Sequence, residues 1–158
     1  MSSLNQPFGL RPSFHPSGLD RAVALTDGIV SGYTSDILKG QPVKLDTTGV
    51  IQAAAAGDAF LGAFAGVQWT DTTGRVRISN YWPANTAYVT GSCIAYYYQD
   101  PAIVYDIQAN GPMAQTTLGA QSDFASITAG STTTGLSQCV ISTSVVSAGS
   151  SAQLKIIG

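Results

Sequence analysis

The sequence predicts an all-β protein, built as a single antiparallel β-barrel or jelly-roll-like sandwich with an extended N-terminal arm. Charged residues make up only 10% of the chain, and every acidic residue is Asp. Because Glu and Lys usually cover exposed helix faces, their scarcity argues against surface helices. Short strand-like runs recur between Gly-rich turns. The 158 residues fit one domain, so we expect an arm over residues 1–21 and a β-domain over residues 22–158.

The arm is predicted from its prolines. Pro7, Pro12 and Pro16 exclude a helix or a central strand over residues 2–20. The segment also carries apolar side chains, which a free disordered tail does not normally have. We therefore expect the arm to lie along a surface, either of its own domain or of a neighbouring subunit, and the sequence leaves both open. These apolar side chains are Phe8, Leu10, Phe14 and Leu19.

One tetrapeptide predicts two hairpin turns. It occurs at residues 46–49 and 71–74 as Asp-Thr-Thr-Gly, with a relative, Thr-Thr-Thr-Gly, at residues 132–135. Asp in the first position and Gly in the fourth favour a type I turn that ends in a glycine bulge.

Strands are predicted on both sides of the second turn. Residues 60–70 are apolar or small on both faces, which indicates a strand buried on both sides. The glycines within it indicate bulges or close backbone approach. After the turn, we expect Val76 and Ile78 to face inward and Arg75 and Arg77 to face outward, as in a half-buried strand.

A central hairpin is predicted next, with strands at Cys93–Tyr98 and Ile103–Gln108. Asp100 and Pro101 supply the residues that a type I turn prefers. Further strands are expected at residues 123–127, 138–143 and 152–157, the last pairing inside the domain or across a subunit boundary.

The aromatic residues of this region allow two interpretations, a sugar-stacking platform and a set of core or interface anchors. Consecutive tyrosines point to opposite faces of a sheet, which favours the anchors. The cluster with two interpretations consists of Tyr81, Trp82, Tyr88, Tyr96, Tyr97, Tyr98 and Tyr105. The expected core or interface anchors are Trp69, Tyr81, Trp82, Tyr96, Tyr98 and Tyr105.

Few residues of the sequence suggest a catalytic or metal-binding site. His15 is the single histidine and lies in the arm, where we expect no rigid scaffold to orient it for Ser-His-Asp catalysis. The Asp residues lie mostly at turn positions. Cys93 and Cys139 are expected to be small buried hydrophobes without metal-ligand spacing. We therefore expect no enzyme, no cofactor and no metal site.

The sequence gives no sign of a nucleic-acid partner, a membrane span or a secretory signal. The net charge of −2 and dispersed basic residues do not favour direct contact with nucleic acid. No apolar stretch approaches the ~20 residues of a membrane span, and the N-terminus lacks the pattern of a secretory signal. We expect synthesis in the cytoplasm.

Four segments resemble a known family. They are N-Q-P-F-G-L-R-P at residues 5–12, G-V-Q-W-T-D followed by G-R at 66–75, S-N-Y-W-P-A-N-T at 79–86, and D-P-A-I-V-Y-D-I-Q-A at 100–109. In order and spacing the chain is similar, to about residue 124, to the capsid decoration (cement) proteins of tailed double-stranded DNA bacteriophages.

The resemblance implies a non-enzymatic virion protein, made in the bacterial host cytoplasm. Such a protein binds the outer surface of the icosahedral head as a homo-oligomer, a dimer or trimer, and stabilises contacts between major capsid subunits. Arm contacts would then come from Phe8, Leu10, Arg11 and Phe14, with Arg75 and Arg77 as polar contacts on an exposed strand. The alternative is a carbohydrate- or receptor-binding β-domain of a phage tail component.

Overall fold

The computed structural model describes residues 5–18, 21–146 and 151–158, and the rest of the predicted arm, residues 1–4 and 19–20, lies outside them. The described residues form strands and a single 3-10 turn, Gln115–Thr117, with no α-helix, so the all-β prediction is confirmed. The strands are β1 (Arg11–Phe14), β2 (Val23–Thr26), β3 (Pro42–Leu45), β4 (Ile51–Ala53), β5 (Gly62–Thr70), β6 (Val76–Ser79), β7 (Ile94–Tyr98), β8 (Val104–Asp106), β9 (Gln121–Ala125), β10 (Gly130–Ser131), β11 (Leu136–Ser137), β12 (Val140–Val146) and β13 (Leu154–Lys155).

Six strands form the principal sheet, in the order β2-β7-β5-β3-β4, with β6 also paired to β5. One edge of β5 pairs with β7. Its other edge is shared, since its first residues pair with β3 and its last four with β6. Most of the apolar or small residues of β5 are buried, as its sequence predicts, because a hydrophobic cluster packs against each of its two faces.

Three smaller sheets complete the fold. They have the orders β12-β9-β13, β1-β8 and β10-β11, and every pairing within the sheets is antiparallel. None of the sheets formed by the described residues closes into a barrel. A sandwich-like arrangement is consistent with these pairings.

Two hydrophobic clusters are divided by the principal sheet. Phe64 belongs to the first cluster and its neighbour Ala63 to the second, and successive residues of a strand point to opposite faces. The first cluster also contains Val67, Trp69, Trp82 and Tyr97. The second contains Leu10, Phe124 and Cys139, with Phe60, Tyr98, Tyr105 and Leu154 packed against it.

Gly62 marks the closest approach between β5 and the end of β7. A Cβ atom at this position would lie 1.5 Å from the carbonyl oxygen of Tyr98. Gly66, four residues further along β5, lies at a β-bulge between β5 and β7. The prediction that glycines in this strand mark bulges or close backbone approach is therefore confirmed.

The two Asp-Thr-Thr-Gly segments form the predicted hairpin turns. Asp46 connects β3 with β4 and Asp71 connects β5 with β6. In each turn, the Asp Oδ1 accepts a hydrogen bond from the backbone N–H two residues on, at 2.7 Å in the first and 2.9 Å in the second. Gly49 and Gly74 have φ of +82° and +86°, a conformation that glycine adopts at little cost.

The predicted central hairpin is wrong, although its turn is present. The N–H of Ile103 donates to the carbonyl of Asp100 at 3.2 Å, as in the expected turn. However, β7 pairs with β2 and β5, while β8 pairs with β1. Both edges of β7 are already occupied, so the chain leaves the principal sheet after the turn at Pro101.

The last strand pairs within the domain. Leu154 and Lys155 of β13 lie opposite Ser122 and Gln121 of β9. The side chain of Gln153 reinforces this pairing, because its Oε1 accepts from the Phe124 N–H at 3.1 Å and its Nε2 donates to the Ala55 carbonyl at 2.8 Å.

Candidate interaction surface

The segment from Arg75 to Ser79, here called the β6 edge, contains the exposed strand β6 of the principal sheet. The side chains of Val76 and Ile78 are 62% and 79% exposed. One side of β6 pairs with β5, and no strand among the described residues pairs with the other side. Exposed apolar side chains therefore lie beside unpaired backbone groups, the combination that makes a sheet edge a site of association.

The prediction that Val76 and Ile78 face inward is wrong. Arg77 lies opposite the buried Trp69, whereas Ile78 lies opposite the half-buried Gln68. Residues paired across antiparallel strands share a face, so the apolar side chains of β6 are on the outer face. The sequence correctly predicts that apolar and charged side chains alternate along β6. The register with β5 places the apolar side chains outward and the arginines on the face of Trp69, the opposite of what was expected.

The turn before β6 holds Arg77 in place. Arg77 Nε donates to Asp71 Oδ2 at 2.9 Å, while Asp71 Oδ1 accepts from the Thr73 hydroxyl at 2.6 Å and the Arg75 N–H at 3.0 Å. The hydrogen bond from the Thr73 side chain, that from the Arg75 N–H and the guanidinium of Arg77 hold the pKa of Asp71 well below its ordinary value. Arg75 forms no ion pair with any of the described residues.

Acid is expected to destabilise the protein through these turns. The pKa values of Asp46 and Asp71 are depressed below 3.8 in the folded protein, chiefly by the hydroxyls of Thr48 and Thr73. Their contribution to stability is complete above that value, and it is lost as the pH falls through the folded pKa. Thermal melts between about pH 5 and pH 2 should show a falling Tm.

Asp71→Asn provides the matched variant, because an Asn side chain keeps the turn-forming oxygen and removes the charge. Its Tm should fall less steeply with acid than that of the wild type. Equal slopes for the two proteins would contradict the assignment to Asp71.

Residues 5–18 of the predicted arm lie on their own domain. β1 pairs with β8, so that Arg11 lies opposite Asp106. Leu10 is buried in the second cluster, and its N–H donates to the Gly40 carbonyl at 2.8 Å. Of the predicted arm contacts, Phe8, Arg11 and Phe14 are exposed, whereas Leu10 is not.

His15 is held more firmly than its position in the arm predicts. Its Nε2 lies 3.0 Å from Asp100 Oδ2, and its Nδ1 lies 2.6 Å from the Ser17 hydroxyl oxygen. Nδ1 also accepts from the Ser17 N–H at 3.1 Å, so the proton of a neutral imidazole resides on Nε2 and is donated to Asp100. The expectation that nothing orients this histidine is wrong, because its partner is 85 positions away in the sequence.

The order hydroxyl, imidazole, carboxylate is that of a Ser-His-Asp triad. A hydrolase also needs N–H donors aimed at the developing oxyanion. Here the N–H of Ser17 donates to His15 Nδ1 and the N–H of Gly18 donates to the His15 carbonyl at 2.8 Å, so neither is free. The geometry supports a tether between the arm and the turn at Asp100.

The predicted aromatic anchors lie in or beside the core. Trp82 is fully buried, with its ring centroid 5.5 Å from that of Trp69 and 6.0 Å from that of Tyr88. Tyr81, Tyr96, Tyr98 and Tyr105 are half-buried. Trp82 and its neighbour in the first cluster, Tyr97, are buried and therefore present no ring face to a sugar.

A groove of about 1200 Å³ was not predicted from the sequence. It opens between residues 57–61, the segment around β8 and residues 151–158, and Phe8 of the arm also lines it. Phe60 and Tyr105 line the groove, and the ring of Phe60 packs edge-on against Tyr105 and against the buried Phe124. Because three distant segments form this groove, no local pattern could reveal it.

Both cysteines are free and buried, as expected. Burial raises the pKa of Cys93 to about 11 and that of Cys139 to about 12. Across residues 5–18, 21–146 and 151–158, no three His, Cys, Asp or Glu side chains are placed to hold a metal ion. The same residues contain no helix long and apolar enough to span a membrane.

Comparisons with family models, curated proteins and solved structures find no match to this chain. The resemblance to decoration proteins therefore rests on the sequence motifs alone.

Proposed function

We propose that this protein is a virion structural protein, a capsid decoration (cement) protein of a tailed bacteriophage. It binds the outer surface of the icosahedral head and stabilises contacts between major capsid subunits. It works as a homo-oligomer, without catalysis, cofactor, direct contact with nucleic acid or membrane attachment. In this proposal the fold is a jelly-roll-like sandwich whose N-terminal arm contributes to binding.

The observation that carries the proposal is the β6 edge. Ile78 is the most exposed of the large apolar side chains of the described residues, and Val76 lies beside it. Soluble monomers rarely expose apolar side chains along an open strand, so this edge favours a protein that works against another protein surface. In the arm, Phe8 and Phe14 are also exposed and suit the same role.

A sedimentation experiment tests the proposal. Heads of a virus that encodes this chain, prepared without the protein, are mixed with the purified protein and spun through a density gradient. We expect the protein to travel with intact heads and to add density to their outer surface in electron cryomicroscopy. Protein that stays at the top of the gradient while intact heads sediment would contradict the proposal.

The same micrographs address the alternative. Density at the tail, together with saturable binding on a glycan array, would support the carbohydrate- or receptor-binding β-domain instead. Because Trp82 and Tyr97 are buried, that function would need a surface other than these two rings.

A further inference from the structure

We propose that the β6 edge accepts an extended segment of another protein as an additional strand of the principal sheet, a segment in which apolar residues alternate with Asp or Glu. The identification of that protein with the major capsid protein rests on the proposed function. The alternation of apolar and acidic residues in the segment is independent of the proposed function, because it follows from the side chains and backbone of the β6 edge.

The outer backbone edge of β6 is open. β6 is paired on one side only, so its outer N–H and C=O groups are available to a further strand. Strand addition of this kind takes its affinity from main-chain hydrogen bonds and its specificity from alternate side chains.

The outer face of the principal sheet is uncharged around β6. Val76 and Ile78 are continuous with uncharged residues of β5 and β7 on the same face, namely Gln68, Thr70, Ile94 and Tyr96. An added strand would place every second side chain beside Val76 or Ile78 on the same face. Those side chains must be apolar to gain from burial there.

The opposite face of β6 carries positive charge. Arg75 and Arg77 alternate with the apolar residues. Asp71 neutralises one of these two charges, because it pairs with Arg77, so the β6 edge keeps an excess of positive charge. Side chains that lie across from the arginines in an added strand are therefore favoured when they are carboxylates.

The same charges argue against a second copy of this chain as the occupant. Two β6 edges paired about a two-fold axis would bring together four arginines but only two Asp71 carboxylates, which leaves an excess of positive charge. Like charges on adjacent strands are destabilising, and charged residues on an edge strand commonly prevent self-association.

A peptide-binding experiment tests the chemistry with the whole protein. The probe is a fluorescein-labelled eight-residue peptide in which Val alternates with Asp, and the matched probe has Val alternating with Lys. We expect the acidic peptide to bind with an affinity at least about tenfold higher than that of the basic one, by fluorescence anisotropy. Absence of binding, or equal affinity for the two probes, overturns the proposal.

Variants locate the site. Val76→Lys or Ile78→Lys should weaken binding of the acidic peptide by about tenfold or more, because each places a charge against the apolar side chains of the added strand. Val23→Lys makes the same substitution at an exposed position of β2, an outer strand of the same sheet, and should leave affinity unchanged. An equal loss with Val23→Lys overturns the assignment to β6. Sedimentation equilibrium in which the wild type self-associates and Ile78→Lys is a monomer would identify a second copy as the occupant and also overturn it.

Head binding separates this inference from the proposed function. If the wild type sediments with heads and Ile78→Lys does so equally well, the inference fails and the proposed function stands. If the wild type binds the acidic peptide through the β6 edge but does not sediment with heads, the proposed function fails and the inference stands.

Discussion

Replacing Gly62 with Ala should lower the free energy of unfolding by roughly 3 kcal/mol. The added Cβ would lie 1.5 Å from the carbonyl oxygen of Tyr98 and 2.6 Å from its carbonyl carbon. Both are backbone atoms at the end of β7, so they cannot swing away as the tip of a side chain can. Relief of the clash requires β5 and β7 to separate where Ala63 pairs with Tyr98.

Urea denaturation measures this loss, and in a thermal melt it should appear as a fall in Tm of roughly 6–12 °C. Gly111→Ala is the matched control, since a Cβ there would first meet Thr143 Cγ2 at an ordinary 3.4 Å. It should change the free energy of unfolding by no more than about 0.5 kcal/mol. Equal stability of the two variants would contradict the close approach at Gly62.

Replacing Leu10 with Ala should lower the free energy of unfolding by about 3 kcal/mol. Leu10 is only 2% exposed and packs in the second cluster with Ala63 and Phe124, so truncation leaves a cavity between the arm and the domain. The loss would show that part of the predicted arm belongs to the core of the protein.

Phe14→Ala, in β1 four positions after Leu10, is the matched control. Its side chain is 59% exposed, so the variant should keep its stability within about 0.5 kcal/mol. Under the proposed function, Phe14→Ala should instead reduce the amount of protein that sediments with heads. A destabilisation as large as that of Leu10→Ala would mean that Phe14 serves the fold and not a partner.

The features that could be predicted from the sequence are those whose interactions are local. The turns at Asp46 and Asp71 are recognisable because each carboxylate bonds to groups within the same hairpin. The burial of β5 was also predictable, since small and apolar residues occupy both of its faces.

The features that could not be predicted depend on which strands meet. An alternating pattern such as that of β6 shows that the two faces differ, but only its register with β5 decides which face is outward. The separation of β7 from β8 likewise follows from the occupation of both β7 edges by β2 and β5. For His15, the partner that fixes the imidazole, Asp100, is far away in the sequence.

The pairing of β1 with β8 has a consequence for how the protein is made. Arg11 lies opposite Asp106, so the two partners are 95 positions apart in the chain. A ribosome that adds about 5–20 residues per second needs roughly 5–20 s to cover that distance. During this interval the strand that receives the arm does not yet exist, and Phe124 and Cys139 follow later still, so the hydrophobic cluster around Leu10 closes only late in synthesis.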